Sequence, residues 1–390
     1  MSEFQYYEFL AVDRQLSKRE MAQVRSLSTR ATITPTSFVN SYHWGNFKGD
    51  PQGLVEQYYD AFLYLANWGT RQLMLRLPIS SLDLSTAEQY CWGGSASAWA
   101  TGDHVVLDLC FENDGEEWDW EDSDGSGLLA SIAPARAELA SGEVRLLYLA
   151  WLLSVCRDDI DEGEFEPPVP PGLSELSGAL DSLVDFLHID RDLLAAAAEA
   201  SQPLTERPES SAELASWLRQ LPTTRKDALL LRVARGGASG VQAEVLRDFR
   251  AATSDEGPAA GTGATGHRTV AELWVAAEVR GAERILQAER AAAEEQVARE
   301  REAALARERR LDALAANGGE RAWQQIAELI SAKKTSGYDA AVAILEDLYA
   351  LSERDGWTDE FARRLDALRS EHARKPSFVQ RVDRALLPLG

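Results

Sequence analysis

The sequence predicts an α+β protein. An N-terminal, mainly antiparallel sheet with helices on one side is followed by a helical middle domain, a long charged helix and a C-terminal helical hairpin module. Three observations carry this. Apolar residues alternate in short runs up to Phe111, helical spacing takes over from Leu128, and residues 268–316 contain no proline and only Gly281 as glycine. The chain has 390 residues, 45% hydrophobic and 26% charged, an ordinary globular mix for several domains of roughly 100–200 residues.

Tyr6–Val12 is aromatic and β-rich, a first strand. Ser17-Lys18-Arg19-Glu20 is a capping box: the serine accepts a free backbone N–H, the glutamate reaches back, and a helix runs over Lys18–Ser28. Ala31–Val39 reads as extended, but Pro35 lacks a ladder donor and sends that strand to an edge or a bulge. Asp50-Pro51 places an N-cap before an N1 proline. The helix it opens is expected to reach residue 65, with Leu54, Val55, Tyr58, Tyr59, Phe62, Leu63 and Leu65 forming a wide apolar face against the sheet. Arg71–Leu77 alternates, and Ser95–Ala100 with His104–Phe111 form a hairpin around Gly102-Asp103.

Leu146–Cys156 is the most apolar run, far short of the ~20 residues of a membrane span, so it reads as a core helix. Leu173 to Leu187, Asp227–Arg235 and Val241–Phe249 continue the helical pattern. Domain limits follow from composition: 1–127 is an acidic α+β domain, 128–252 a helical domain, 253–267 (TSDEGPAAGTGATGH) a flexible linker, 268–316 the long charged helix, and 317–390 the C-terminal module. Between Glu283 and Arg310 lie seven glutamates and seven arginines, with Arg290/Glu294 and Glu295/Arg299 at i,i+4. Ile285, Leu286, Val297 and Leu305 keep no heptad, so a solvated helical arm is expected, with a homodimeric coiled coil as the alternative.

In the C-terminal module Trp323, Ile326, Ala327 and Ile330, followed by Gly337-Tyr338-Asp339-Ala340-Ala341, Leu345 and Leu348, resemble one tetratricopeptide-type helix pair. The resemblance covers under one-fifth of the chain and implies a helical interaction surface. A poorer second hairpin runs through Phe361, Leu365, Leu368 and Phe378. His372–Ser377 is similar to the tail of some bacterial SWIM-type zinc-finger proteins. Their CxC and CxH zinc motif is absent, so no metal function is implied. Tyr6-Tyr7-Glu8-Phe9 and the YHWGNFKGDP loop (Tyr42–Pro51) resemble an uncharacterised bacterial protein family, which implies no mechanism.

The formal charge is −23. Such a field repels nucleic-acid phosphates and anionic membranes. Three cysteines and an opening (Met1–Tyr7) without the basic and apolar regions of a signal peptide lead us to expect a cytoplasmic protein without disulfides. Cys91, Cys110 and Cys156 show no CxxC spacing, and no histidines pair as HxxxH, so neither metal nor cofactor is expected. Phosphate-loop, Rossmann, nucleophile-elbow and kinase motifs are missing from the sequence.

Two loops and the C-terminal module supply the binding candidates. His43, Trp44, Phe47 and Lys48 surround Gly45 at a helix start, where free N–H groups could hold an anion or peptide carboxylate; the plainer reading is that Trp44 and Phe47 staple the loop onto the sheet. Glu112–Asp124 packs eight carboxylates around Trp118 and Trp120, fits no EF-hand register, and reads as solvated loop or acidic–aromatic partner segment. Trp323 and Tyr338 mark the module. The only catalytic candidate is a Cys91–His43 dyad, which requires the fold to bring two distant loops together. His104, Asp108 and Cys110 share a strand face, but His104 and Asp108 are about 13 Å apart along it. The expectation is therefore a non-enzymatic interaction or adaptor protein that binds another protein. A hydrolase or thiol enzyme centred on the N-terminal loops is the alternative.

Overall fold

The computed structural model describes residues 3–112, 124–204, 211–234, 238–253, 268–316, 319–332 and 335–386. Trp118, Trp120 and residues 254–267 of the expected linker lie outside the described residues. The chain forms two compact units, Met1–Arg284 and Ile285–Gly390. The composition-based limits at 127 and 253–267 both fall inside the first unit.

That unit begins with β1 (Gln5–Leu10), α1 (Lys18–Leu27), β2 (Thr32–Ile33), β3 (Ser37–Tyr42), α2 (Pro51–Gln57), β4 (Ala61–Ala66), β5 (Arg71–Pro78), α3 (Leu84–Glu88), β6 (Ala96–Thr101) and β7 (His104–Phe111). The strands make one antiparallel sheet in the order β2-β3-β1-β4-β5-β7-β6. Ser17 caps α1 with both bonds of the capping box. The single extended segment expected over Ala31–Val39 is instead a hairpin: Pro35 sits in the turn between β2 and β3, closed by the Thr34 N–H donating to the Ser37 carbonyl at 2.9 Å, so its missing donor costs no ladder bond.

The helix from Pro51 does not reach residue 65. α2 ends at Gln57, and Phe62, Leu63 and Leu65 belong to β4, paired on one side with β1 and on the other with β5. Ala61, Leu63 and Leu65 face one core and Phe62 the other. A strand buried on both faces reads as a continuous apolar run, which imitates a wide helical face.

The helical layer follows: α4 (Leu128–Ile132), α5 (Pro134–Ala140), α6 (Arg145–Cys156), α7 (Gly178–Phe186), α8 (Arg191–Ala198), α9 (Ser211–Gln220), α10 (Thr223–Ala234) and α11 (Ala238–Thr253). Helices α4 to α8 cover one sheet face in a single core with Leu63, Leu73, Leu75, Val105 and Leu107. On the other face α1 and α2 cover Phe9, Phe38, Phe62 and Met74. Buried α6 is the core helix expected, and no single described helix is long and apolar enough to cross a membrane.

Asp60 ties β5 to the segment after β1. It is fully buried, accepts N–H bonds from Val12 and Asp13 at 2.7 and 2.9 Å, and pairs with Arg76 at 2.6 Å. Arg136 of α5 donates from Nε to the Arg76 carbonyl and pairs with Asp13 at 2.6 Å.

α12 (Val270–Ala315) starts inside the first unit. Val270, Leu273 and Ala277 enter the main core, and Arg268 pairs with the buried Glu166 at 2.8 Å. Arg284 pairs with Asp192 of α8 at 2.8 Å. Residues 282–310 are exposed on every side.

The second unit adds α13 (Glu320–Ser331), α14 (Thr335–Asp355), α15 (Thr358–Glu371) and α16 (Pro376–Leu386) around Ile326, Ile330, Leu345, Leu348, Phe361 and Phe378. Gly337 allows α14 to close on α13: a Cβ there would lie 2.8 Å from the Leu329 carbonyl oxygen.

Candidate functional site

The loop after β3 divides into a fixed and a free part. The Phe47 ring packs on Tyr7 and Phe38 at 5.4 and 5.5 Å between centroids. Gly49 is required beneath it, because a Cβ would stand 2.5 Å from that ring. Gln5 ties the loop down, donating from Nε2 to Asn46 Oδ1 at 2.8 Å and to the Gly45 carbonyl at 3.3 Å. Gly45 has φ +75°, a left-handed conformation natural to glycine. Trp44 is 72% exposed, Lys48 is exposed, and His43 leans on Phe4 at 5.4 Å. Phe47 is thus a staple, and Trp44 and Lys48 are the groups free to meet a ligand.

The anion site expected at this helix start is not formed. α2 has only seven residues, and Asp50 makes no side-chain cap bond. Its carboxylate lies over the first turn instead, with Oδ2 2.7 Å from where a Cβ of Gly53 would be. A resident negative charge removes the attraction the helix end offers to another.

Cys91 and His43 are not brought together. His43 follows β3, Cys91 precedes β6, and four strands lie between those two. At about 4.8 Å per strand this is roughly 24 Å across the sheet. Burial raises the Cys91 thiol to about 12, so it stays protonated at neutral pH. The strand group on β7 is no triad either. His104 pairs with Asp103 at 2.6 Å, and Asp108 accepts from Gln72 Nε2 at 2.8 and 3.0 Å. Burial raises both the Asp108 carboxyl and Cys110, the latter to about 12, with the negative charge of Asp108 adding to the effect on Cys110.

A polar row that the strand patterns had not singled out crosses the sheet beside this loop. The register aligns Asn40 of β3, Tyr7 of β1, Tyr64 of β4, Gln72 of β5 and Cys110 of β7 on one face. Tyr7 and Tyr64 hydroxyls both donate to Gln5 Oε1, at 2.7 and 3.3 Å. Burial raises both phenols, so both remain donors. Asn40 is buried, whereas Tyr64, Gln72, Asp108 and Cys110 are half-buried. A row of two protonated hydroxyls, two amides and a thiol can hydrogen-bond a polar ligand but offers no activated nucleophile. The only signal in the sequence is local, Asn40 and Gln72 being polar within strand segments; their alignment with Tyr7, Tyr64 and Cys110 comes from the register.

In the module, Trp323 packs on Phe361 at 5.8 Å beneath the Arg364 guanidinium, and Tyr338 packs on Phe378 at 5.8 Å. Both expected contact residues thus serve mainly to join helices. An open cleft of about 360 Å³ between α12 and α14 is lined by Ala304, Arg307, Glu308, Leu311, Ala350 and Arg354. Among the described residues, no group of three or more His, Cys, Asp or Glu side chains is arranged to hold a metal ion. Comparison with protein-family models, curated proteins and solved structures gave no match to this chain.

Proposed function

We propose that the protein is a cytoplasmic, non-enzymatic interaction protein, an adaptor that joins an acidic head to a helical arm and a docking module. One observation supports this above the others. Residues 282–310 of α12 are exposed on all sides, about 43 Å of helix at 1.5 Å per residue given to surface rather than core. The partner in this reading is another protein, met through the C-terminal module or the acidic–aromatic segment. The charge of −23 disfavours nucleic acid and anionic membranes as partners.

Affinity capture from the native host tests the reading, with the full chain beside one ending at Arg284. That end follows the boundary between units and keeps Val270, Leu273 and Ala277 in place. Loss of a captured protein from the shorter chain supports docking through the second unit. Equal recovery by both chains rules that out.

A further inference from the structure

We propose that two copies of the chain pair antiparallel along one stripe of α12, centred near Ala293. At 100° per residue, Leu286, Ala293, Val297, Ala304 and Leu311 fall within a band of about 40°. Val275, Leu286 and Val297 are each eleven residues apart. An eleven-residue repeat runs nearly straight along an α-helix, which is why no heptad marks the stripe. At its far end this face is already used: Leu311 is buried, and Ala350 and Arg354 of α14 stand beside it. Before that point it lacks cover, Leu286 being 46% and Val297 44% exposed.

The flanking charges identify a second copy as the occupant. Glu289 lies on one side of the stripe, Arg290 and Glu294 on the other. An antiparallel pair sets Leu286 against Val297 of the other copy, Arg290 against its Glu294, and Glu289 against its neutral Gln296. The two-fold axis repeats each contact. A parallel pair would set Glu289 beside Glu294, a like-charge contact. Within one chain Glu295 and Arg299 close their i,i+4 pair at 2.5 Å. Arg290 and Glu294, at the same spacing, make no ion pair among the described residues, which leaves both charges to a partner. The pairing is independent of the partner proposed for the second unit, so either can fail alone.

Full-length chains carrying Leu286→Cys or Val297→Cys, oxidised singly and as an equal mixture, test the register, with the unsubstituted chain as control. A cross-linked dimer in the mixture, and in neither variant alone, is expected. Cross-linking of Leu286→Cys with itself overturns the antiparallel register. No cross-link, together with a monomeric mass by light scattering up to about 0.1 mM, overturns the pairing. Arg290→Glu should weaken self-association at least tenfold, and Arg290→Glu with Glu294→Arg should restore it. Lack of rescue would remove the charge argument.

Discussion

Replacing Asp60 with Asn isolates the buried pair that ties β5 to the segment after β1. Asp60 is 0% exposed and Arg76 5% exposed, so neither charge has water to replace its partner. The carboxylate takes two backbone N–H groups and two guanidinium N–H groups. Asn keeps the shape but removes the charge and turns a donor towards Arg76. Breaking a buried pair from one side costs about 3–5 kcal/mol. The double change Asp60→Leu with Arg76→Met removes both charges but leaves the Val12 and Asp13 N–H groups without an acceptor, about 1–3 kcal/mol each. Its cost should therefore be comparable to that of the single change. Burial alone would raise the Asp60 carboxyl, but Arg136, Arg76 and the Asp13 N–H outweigh it and hold the group below its usual range. A carboxyl held low stabilises the fold above the unfolded value, about 3.9, and this contribution is lost as pH falls below it. Urea titrations at neutral pH and at stepwise lower pH, followed through the tryptophans, measure both effects. A single change costing under about 1 kcal/mol would show that this pair does not hold these segments together.

Three further outcomes are expected. Phe47→Ala should cost about 2–4 kcal/mol in thermal unfolding, while exposed Trp44→Ala should change stability by less than about 0.5 kcal/mol; equal effects would mean the loop is not stapled through Phe47. Gly337→Ala gains helix propensity yet should destabilise the second unit by about 1–3 kcal/mol, because the Leu329 carbonyl cannot move aside; a higher melting temperature by circular dichroism would refute the close approach of α13 and α14. Cys91, half-buried and raised to about 12, should react with a thiol reagent at pH 8 only slowly until the protein is unfolded; rapid labelling of the native chain would contradict the raised thiol.

The parts of the fold legible in the sequence were those whose two faces differ. β5, β6 and β7 alternate because one face enters the main core and the other is mixed, and Ser17 with Glu20 carries its capping bond in four residues. β4 was illegible because it is apolar as well as buried on both faces, whereas β5, also buried on both faces over Leu73–Leu77, carries Gln72 and Arg76 among its leucines. Long-range placement was invisible too. Composition separates residue 252 from residue 268, yet Arg268 returns to Glu166 and Val270 to the core shared with β5 and β7. No local pattern encodes a partner a hundred positions away. The same limit explains the site: Cys91 and His43 looked alike as polar–aromatic loop residues, and only strand order separates them. Tyr7, Tyr64, Gln72 and Cys110 became a row only once the register was known.

The exposed run of α12 needs its own physical account, because an isolated helix in water is limited by the cost of its first turn. Here that cost is met by packing. Val270, Leu273 and Ala277 are held in the core, and Arg268 and Arg284 fix both ends of that stretch to Glu166 and Asp192. Beyond it each added residue only has to propagate, and residues 285–310 are mostly Ala, Glu, Arg, Leu and Gln, with Ile285 and Val297 the sole β-branched positions. The two β-branched residues therefore carry a small cost in propensity that a charged or alanine side chain would avoid. Replacing Val297 with Ala should raise the helicity of the isolated chain slightly while weakening any assembly that uses the stripe. Helicity and self-association moving together would mean that Val297 serves the helix itself rather than a surface on it.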